Sequence, residues 1–351
     1  MSGTTGTPVE GLYLNGNTVS YPGTRIPVSE ALAQGLVHDF DETIGNPDVP
    51  VFDSGLPVAD LAVDALKGAL KSAGSNASDV GLLLHCSWWH QGFDIWSAAH
   101  YVAHQTGALG ALPMNLSQGC NAPMAALELA ARAMMSDGSI GTAAVTAADA
   151  MQAPQVDRWN LNYGCVHGDA GTALLLGREP AASNSFKVLS VASSAAPELE
   201  EMNRFGYDPT PGPALREGGK VDLKAAKKAY LTEYGIERFA GRSRESLTGC
   251  VQRALDDAGL TGSEERIRAV GVPRLSGKIF ETVYRPQLAP FFGAEKLLWH
   301  GGRTAHLGVA DVGANIADIH EEQGLRPGDV CVVVNAGGGY TWSCLVLELV
   351  C

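Results

Sequence analysis

Apolar residues recur along this chain in two alternating rhythms. Stretches with the three-to-four-residue spacing of an amphipathic helix give way, after a polar turn, to short unbroken runs of Val, Leu and Ala. The segment 59–87 predicts a helix ending in Ala-Leu-Lys-Ser-Ala-Gly, a polar loop, and a strand over Val80–Cys86. The segment 246–276 predicts a helix ending in Ala-Leu-Asp-Asp-Ala-Gly, a loop, and a strand over Ala269–Leu275. Gly74 and Gly259, which stop the two helices, stand 185 residues apart. Residues 136–149 and 322–337 repeat a second unit of helix end, glycine, short loop and strand, with Gly141 and Gly328 separated by 187 residues. This alternation predicts α/β architecture in two like halves, 1–185 and 186–351, with buried sheets and helices on their faces. The segment 197–245 fits neither repeat and reads as an insertion, running from an acidic stretch through a turn-rich one into a basic helix at Lys224–Tyr234.

Within the first half, Leu-Ser-Gln-Gly-Cys-Asn-Ala-Pro (116–123) precedes a helix predicted over Met124–Met135. Gly119 permits a tight turn and Pro123 suits a first helical turn. Cys120 therefore meets unpaired backbone N–H groups and the positive end of the helix dipole, which favour its use as a nucleophile. Adding the repeat offsets to position 120 lands on 305–307, where His306 lies. Equivalent positions of two like halves meet at a pseudo-twofold axis, and a histidine facing a helix-capped cysteine is a nucleophile with its base. Asp311 follows five residues on and can orient the imidazole. Inside one helix that spacing turns the side chains about 140° apart, so the pair requires His306 to precede the helix and Gly308 to bend the chain.

Composition narrows the classes. The 351 residues accommodate two core-forming units, with 45% hydrophobic and 18% charged residues, as in a well-buried α/β protein. No apolar run approaches the ~20 residues of a membrane span, and the first residues have neither a basic start nor an apolar core of an export signal. Seven cysteines without framework spacing fit a reducing, cytoplasmic setting, and no paired Cys or His motif suggests a metal. A net charge of −13 argues against a nucleic-acid partner. Residues 220–244 oppose that sign with seven basic residues against three acidic ones. Lys224, Lys227, Lys228, Arg242 and Arg244 are either a solvated face or a docking patch for an acidic macromolecule.

Three further groups carry alternatives. Gly337-Gly338-Gly339 either turns between two strands, the first predicted over Val330–Asn335, or aims N–H groups, Gly338 among them, at a developing oxyanion. His167-Gly168-Asp169 precedes a strand over Ala173–Leu176 and reads as a turn with close strand packing. Trp88, Trp89, His90 and Trp96 either line a pocket or interface or belong to the core. Cys165, Cys250, Cys331, Cys344 and Cys351 read as packing residues or an exposed terminus.

These pieces together resemble the thiolase superfamily, and within it β-ketoacyl-acyl-carrier-protein synthase III. The motifs are Ser-Gln-Gly-Cys-Asn-Ala-Pro at 117–123, Gly-Asp-Ala-Gly-Thr-Ala-Leu-Leu-Leu-Gly at 168–177, and the terminal segment 326–349. The resemblance implies a thiolase-like five-layer αβαβα fold, a homodimer, and an acyl thioester on Cys120. Condensing members use a His in a Val-Pro-His-Gln-Ala-Asn-like segment and an Asn in a Gly-Asn-Thr-Ser-like one. Here Arg274 and Arg303 occupy those places, and arginine is a poor general base.

His-Leu-Gly-Val-Ala-Asp at 306–311 and His-Gln-Gly-Phe-Asp-Ile-Trp-Ser at 90–97 are similar instead to synthase III-like acyltransferases of polyketide and antibiotic pathways. That resemblance implies a catalytic set of Cys120, His306 and Asp311, with backbone N–H groups at Cys120 and Gly338 holding the oxyanion. It implies ping-pong transfer from acyl-CoA or an acyl carrier protein to a sugar or natural-product hydroxyl, an amine, or a second carrier thiol, without a cofactor of the enzyme's own. Trp88, Trp89 and Trp96 would suit an aromatic acyl group or sugar, and Arg274 and Arg303 a carboxylate. The rival readings are a decarboxylative or starter-unit-selecting synthase and a non-catalytic partner subunit.

Overall fold

The computed structural model describes residues 3–38, 40–53, 55–153, 156–209 and 222–351. Its strands are β1 (Gly3–Pro8), β2 (Tyr13–Ser20), β3 (Thr24–Pro27), β4 (Asp48–Val51), β5 (Val80–Cys86), β6 (Leu112–Leu116), β7 (Thr142–Asp149), β8 (Ala170–Gly177), β9 (Phe186–Ala195), β10 (Ile267–Gly271), β11 (Leu297–Leu298), β12 (Val330–Gly337) and β13 (Thr341–Leu349). The helices that build the layers are α1 (Ala59–Ala73), α2 (Ala98–Thr106), α3 (Ala122–Ser136), α4 (Leu223–Tyr234), α5 (Ile236–Asp257), α6 (Arg285–Phe292) and α7 (Asp311–Glu322).

One strand order is built twice. In the first half β2, β8, β7, β5 and β6 lie side by side, and in the second β9, β13, β12, β10 and β11. Read in that order, each half has two antiparallel pairings followed by two parallel ones. The halves join where β2 meets β9 at Tyr13–Lys187 and Leu14–Phe186. Helix α3 ends at Ser136 and α7 at Glu322, 186 residues later, the separation that also relates Cys120 to His306.

Alternating residues sort the strands between layers. On β12, Cys331 and Val333 share the inner core with Met124 and Leu127 of α3 and Val312 and Ile316 of α7. Val330, Val332 and Val334 face outward against Leu247 and Val251 of α5 and Leu288 of α6. On β7, Ala143 and Val145 point inward, while Ala144 and Ala148 pack with α1 and α2. A strand apolar on both faces is buried on both. Two outer helix layers, two sheets and the central pair α3 and α7 make the thiolase-like αβαβα fold.

Two expectations shift. The strand predicted over Ala269–Leu275 ends at Gly271, because Pro273 has no N–H for a ladder and the Arg274 N–H is drawn to the Asp311 carboxylate instead. Helix α5 is continuous from Ile236 and packs against β9 and β13 as α1 packs against β2 and β8, so the repeat resumes before residue 245. Of the turn-rich stretch in the insertion, residues 210–221 lie outside the described residues.

Candidate active site

Cys120 ends the loop that leads into α3. Gly119 stands at φ +56°, where glycine is at ease, and a Cβ there would fall 1.5 Å from the Trp88 ring. Pro123 occupies the first turn of α3, where its missing N–H leaves no bond unmade. The second half fixes this loop from across the axis. Asn335 at the end of β12 donates from Nδ2 to the Cys120 carbonyl at 2.8 Å, and Asn121 donates to Ser343 of β13 at 2.8 Å. A Cβ on Gly337 would stand 2.8 Å from the Asn121 nitrogen, so the glycine hairpin between β12 and β13 is both a turn and a close backbone approach to Cys120.

His306 comes from the other half. Its Nε2 lies 3.1 Å from Cys120 Sγ, and its Nδ1 lies 2.6 Å from Asp311 Oδ2. The spacing of five is resolved by the backbone. A short helix, Gly301–Thr304, stops before His306; Ala305 at φ +62° and Gly308 at φ +59° turn the chain, and Asp311 opens α7. Asp311 also accepts from the Leu307 N–H at 2.8 Å and the Arg274 N–H at 3.0 Å. His306 and Asp311 are buried, and Cys120 is half-buried.

Burial alone would push the His306 pKa below its ordinary 6.5, but Asp311, Cys120 and Cys165 together hold it well above. Burial likewise works to raise Asp311, and the facing His306 and Arg274 keep it below 3.8. The site thus favours an imidazolium between a carboxylate and a sulfur.

Sequence reasoning reads Cys165 as a packing residue and His167 as part of a turn, and the structure places both, buried, beside His306. Cys165 Sγ lies 3.5 Å from His167 Nε2, and the His167 ring meets His306 edge-on with centroids 5.3 Å apart. The His306 N–H donates to the Val166 carbonyl and the Gly168 N–H to the His306 carbonyl, clamping the two segments together. Burial, then the His306 and Arg158 charges, push His167 down to about 3, and burial pushes the Cys165 thiol up to about 12. Asp169 anchors this loop through Arg158, with Nη1–Oδ1 at 2.9 Å and Nη2–Oδ2 at 2.8 Å. The Cys165, His167 and His306 donor atoms lie within 4.8 Å of one another, but both His306 nitrogens are already engaged by Asp311 and Cys120, so the group is a buried thiol–imidazole contact beside the nucleophile. Motif spacing gave no sign of it, because the third member arrives from the other half.

Other expected site residues part company. Trp88 lies against Gly119 and Gly338 beside Cys120. Trp89 packs with Met151, Val156 and Leu161; Trp96 braces Tyr101 of α2 with centroids 5.0 Å apart; His90 is exposed beside Asp94. Arg274 is buried, but Nη2 binds Asp318 at 2.5 Å and Nη1 binds Thr304 at 3.1 Å, so its charge is spent on the fold. Arg303 is exposed and paired with Glu322. Both guanidinium charges are thus already paired within the fold.

The basic segment is also divided. Lys228 and Arg244 are exposed, whereas Arg242 is tied to Glu198, Glu245 and the Ala195 carbonyl. Lys224 is half-buried over the Tyr163 ring. Lys227 turns inward to donate to Asn162 Oδ1 at 2.9 Å, so it is not part of a docking face.

The chain is similar to the family described as 3-oxoacyl-[acyl-carrier-protein (ACP)] synthase III over residues 114–197, and to the C-terminal part of that family over residues 260–349. A β-ketoacyl-[acyl-carrier-protein] synthase III of Thermosynechococcus vestitus is 25% identical over 342 residues, which cover 95% of this chain and 97% of the relative. The solved structure of the acyltransferase ChlB3 superposes with a TM-score of 0.84 at 28% identity, covering 97% of this chain and 98% of that one. The priming β-ketosynthase of the R1128 polyketide pathway shares the fold, with a TM-score of 0.76 at 15% identity and coverage of 98% and 97%.

Proposed function

Starting from a chain that belongs to the 3-oxoacyl-[acyl-carrier-protein] synthase III family of the thiolase superfamily, we propose an acyltransferase of polyketide or antibiotic biosynthesis that hands its acyl group to a heteroatom. The observation that carries this reading is the Cys120–His306–Asp311 line, together with where the two arginines point. In condensing relatives a histidine and an asparagine support decarboxylation. Here Arg274 faces Asp318, Arg303 faces Glu322, and the basic group at Cys120 is His306 alone among those three.

The reaction follows from the proton's position. Cys120 thiolate attacks the acyl thioester of CoA or a carrier protein, with backbone N–H groups at Cys120 and Gly338 as the oxyanion donors. The tetrahedral adduct collapses, and the donor thiol leaves with the proton of His306. The neutral imidazole, held by Asp311, then takes the proton of the acceptor hydroxyl, amine or carrier thiol as it attacks the acyl-cysteine. Collapse restores the thiolate and imidazolium. Lys228 and Arg244 remain for docking an acidic carrier. Exposed Leu112 and Met114 on the edge strand β6 suit a homodimer contact.

Intact-mass measurement with an acyl thioester tests the assignment. Cys120→Ala should give no adduct, whereas His306→Ala should acquire the acyl group and fail to pass it on. Transfer by the His306 variant at the wild-type rate would remove its role. Release of carbon dioxide from a malonyl thioester would favour the condensing alternative, hydrolysis without an acceptor the starter-selecting one, and absence of any adduct the non-catalytic partner.

A further inference from the structure

We propose that Lys227 is a specificity-determining residue that receives a carboxylate at the far end of the acyl group carried by Cys120. The inference rests on the acyl-enzyme reading and names its substrate class, acyl thioesters that end in a carboxylate.

A continuous line of contacts leads from the nucleophile to this lysine. Cys120 meets His306 at 3.1 Å, His306 meets the His167 ring at 5.3 Å between centroids, and His167 meets Cys165 Sγ at 3.5 Å. Cys165 bridges to Asn162 through the backbone, and Asn162 Oδ1 accepts from Lys227 Nζ at 2.9 Å. Asn162 and Cys165 also line a cavity of about 40 Å³, with Lys224 on its wall, enough for a small polar group. Asp41 on the same wall is engaged by the Thr43 N–H and hydroxyl in its own turn.

Lys227 has no carboxylate partner among the described residues. Among the described residues Arg158, Arg242, Arg266 and Arg274 each pair with a carboxylate, and no carboxylate lies in ion-pair range of Lys227. Its Asn162 partner is neutral. Burial lowers the Lys227 pKa from its ordinary 10.5, against an opposing effect of Cys165 and Cys120. A half-buried ammonium whose partner among the described residues is a neutral amide is incompletely compensated. Acylation removes the negative charge that Cys120 could offer, so the acyl group itself would supply the anion.

A succinyl thioester and the neutral butyryl thioester of the same carbon-chain length separate this idea from decarboxylation, since succinyl cannot lose carbon dioxide by that route. Acylation rates would be read by intact mass for the full chain, Lys227→Gln and Lys227→Arg, with thermal melting to confirm folding. Wild type should prefer succinyl. Lys227→Gln should lower the succinyl-to-butyryl ratio of kcat/KM about 10- to 100-fold, the effect of losing one charged hydrogen bond, and Lys227→Arg should restore part of it. An unchanged ratio in Lys227→Gln would overturn the proposal while leaving the acyl-enzyme standing. Failure of both thioesters to label wild type would overturn the acyl-enzyme reading itself.

Discussion

His306 Nε2 approaches Cys120 Sγ to 3.1 Å across 186 residues of intervening chain. The two occupy equivalent places in the repeated halves, each just ahead of a central helix, and the pseudo-twofold axis brings them face to face. Their charges are linked. Cys120 helps to hold the proton on His306, so converting the sulfur to a neutral thioester loosens that proton. Formation of the acyl-enzyme thereby turns an imidazolium into a base at the step that needs one.

Deacylation should accordingly accelerate with rising pH. A raised histidine pKa means that the base form appears only above the ordinary value of 6.5, and loss of the Cys120 charge shifts that point down in the acyl-enzyme. Single-turnover transfer from isolated acyl-enzyme, followed between about pH 5 and 9, should show a sigmoidal rise with a midpoint below that for His306 in the free enzyme. A flat profile would exclude His306 as the base.

Asp311→Asn should slow transfer by roughly 10⁴-fold, the loss seen when a triad carboxylate is neutralised and the imidazole takes the wrong tautomer. Asp311 Oδ2 receives both His306 and the Arg274 N–H, and Oδ1 receives the Leu307 N–H. An amide nitrogen cannot accept from either side, so a buried donor is left unmade and the variant should also lose about 1–3 kcal/mol of stability. Stopped-flow transfer and urea unfolding read the two effects separately. Full transfer activity with lowered stability would reduce Asp311 to a structural role.

Gly119→Ala should cripple acylation. Its φ of +56° disfavours a side chain, and the new Cβ would fall 1.5 Å from the Trp88 ring. Trp88 has to move or the Cys120 loop has to shift. The double variant with Trp88→Ala removes the clash but keeps the backbone strain, so it should recover part of the acylation rate. If Gly119→Ala labels at the wild-type rate, the loop is less constrained than this packing requires.

Much of this arrangement was legible in the residue pattern, for a physical reason. Helix stops at Gly74 and Gly259 and the paired loops before β7 and β12 are local backbone events, and local events leave local signatures. Their offset carried Cys120 onto His306. Side-chain direction leaves no such trace. Lys227 and Lys228 are neighbours on α4, yet one reaches inward to Asn162 and the other is exposed. Arg274 was legible as the absence of a histidine, but its turn toward Asp318 depends on α7, which follows it by dozens of residues. Cys165 and His167 read from the sequence as a packing residue and part of a turn, because nothing local marks that His306 of the other half will stand beside them.

Asp149 should make the protein less stable as pH rises through the weakly acidic range. Burial raises its pKa from 3.8 to about 7, although the Trp89 and Trp88 N–H groups donate to it. Between those values the folded chain holds a proton that the unfolded chain has released. Stability therefore falls with rising pH, by up to ~1.4 kcal/mol per unit, and levels off above about 7. Asn mimics the protonated acid, so Asp149→Asn should flatten this contribution. Urea unfolding of both proteins at several pH values gives the difference curve, and parallel curves would rule the linkage out.

Arg274→Met should weaken the fold without altering which acyl groups are accepted. The guanidinium is fully buried, bridging Asp318 on α7 to Thr304 in the short helix before His306. Methionine fills similar apolar volume but leaves Asp318 without its cation. Asp318 keeps some exposure, with 19% of its side-chain surface accessible, so water recovers part of the loss and about 1–3 kcal/mol is expected. The succinyl-to-butyryl acylation ratio should stay at the wild-type value, in contrast to the Lys227 variants. If that ratio collapses while urea unfolding is unchanged, Arg274 reads the substrate and the inward charge has been assigned to the wrong residue.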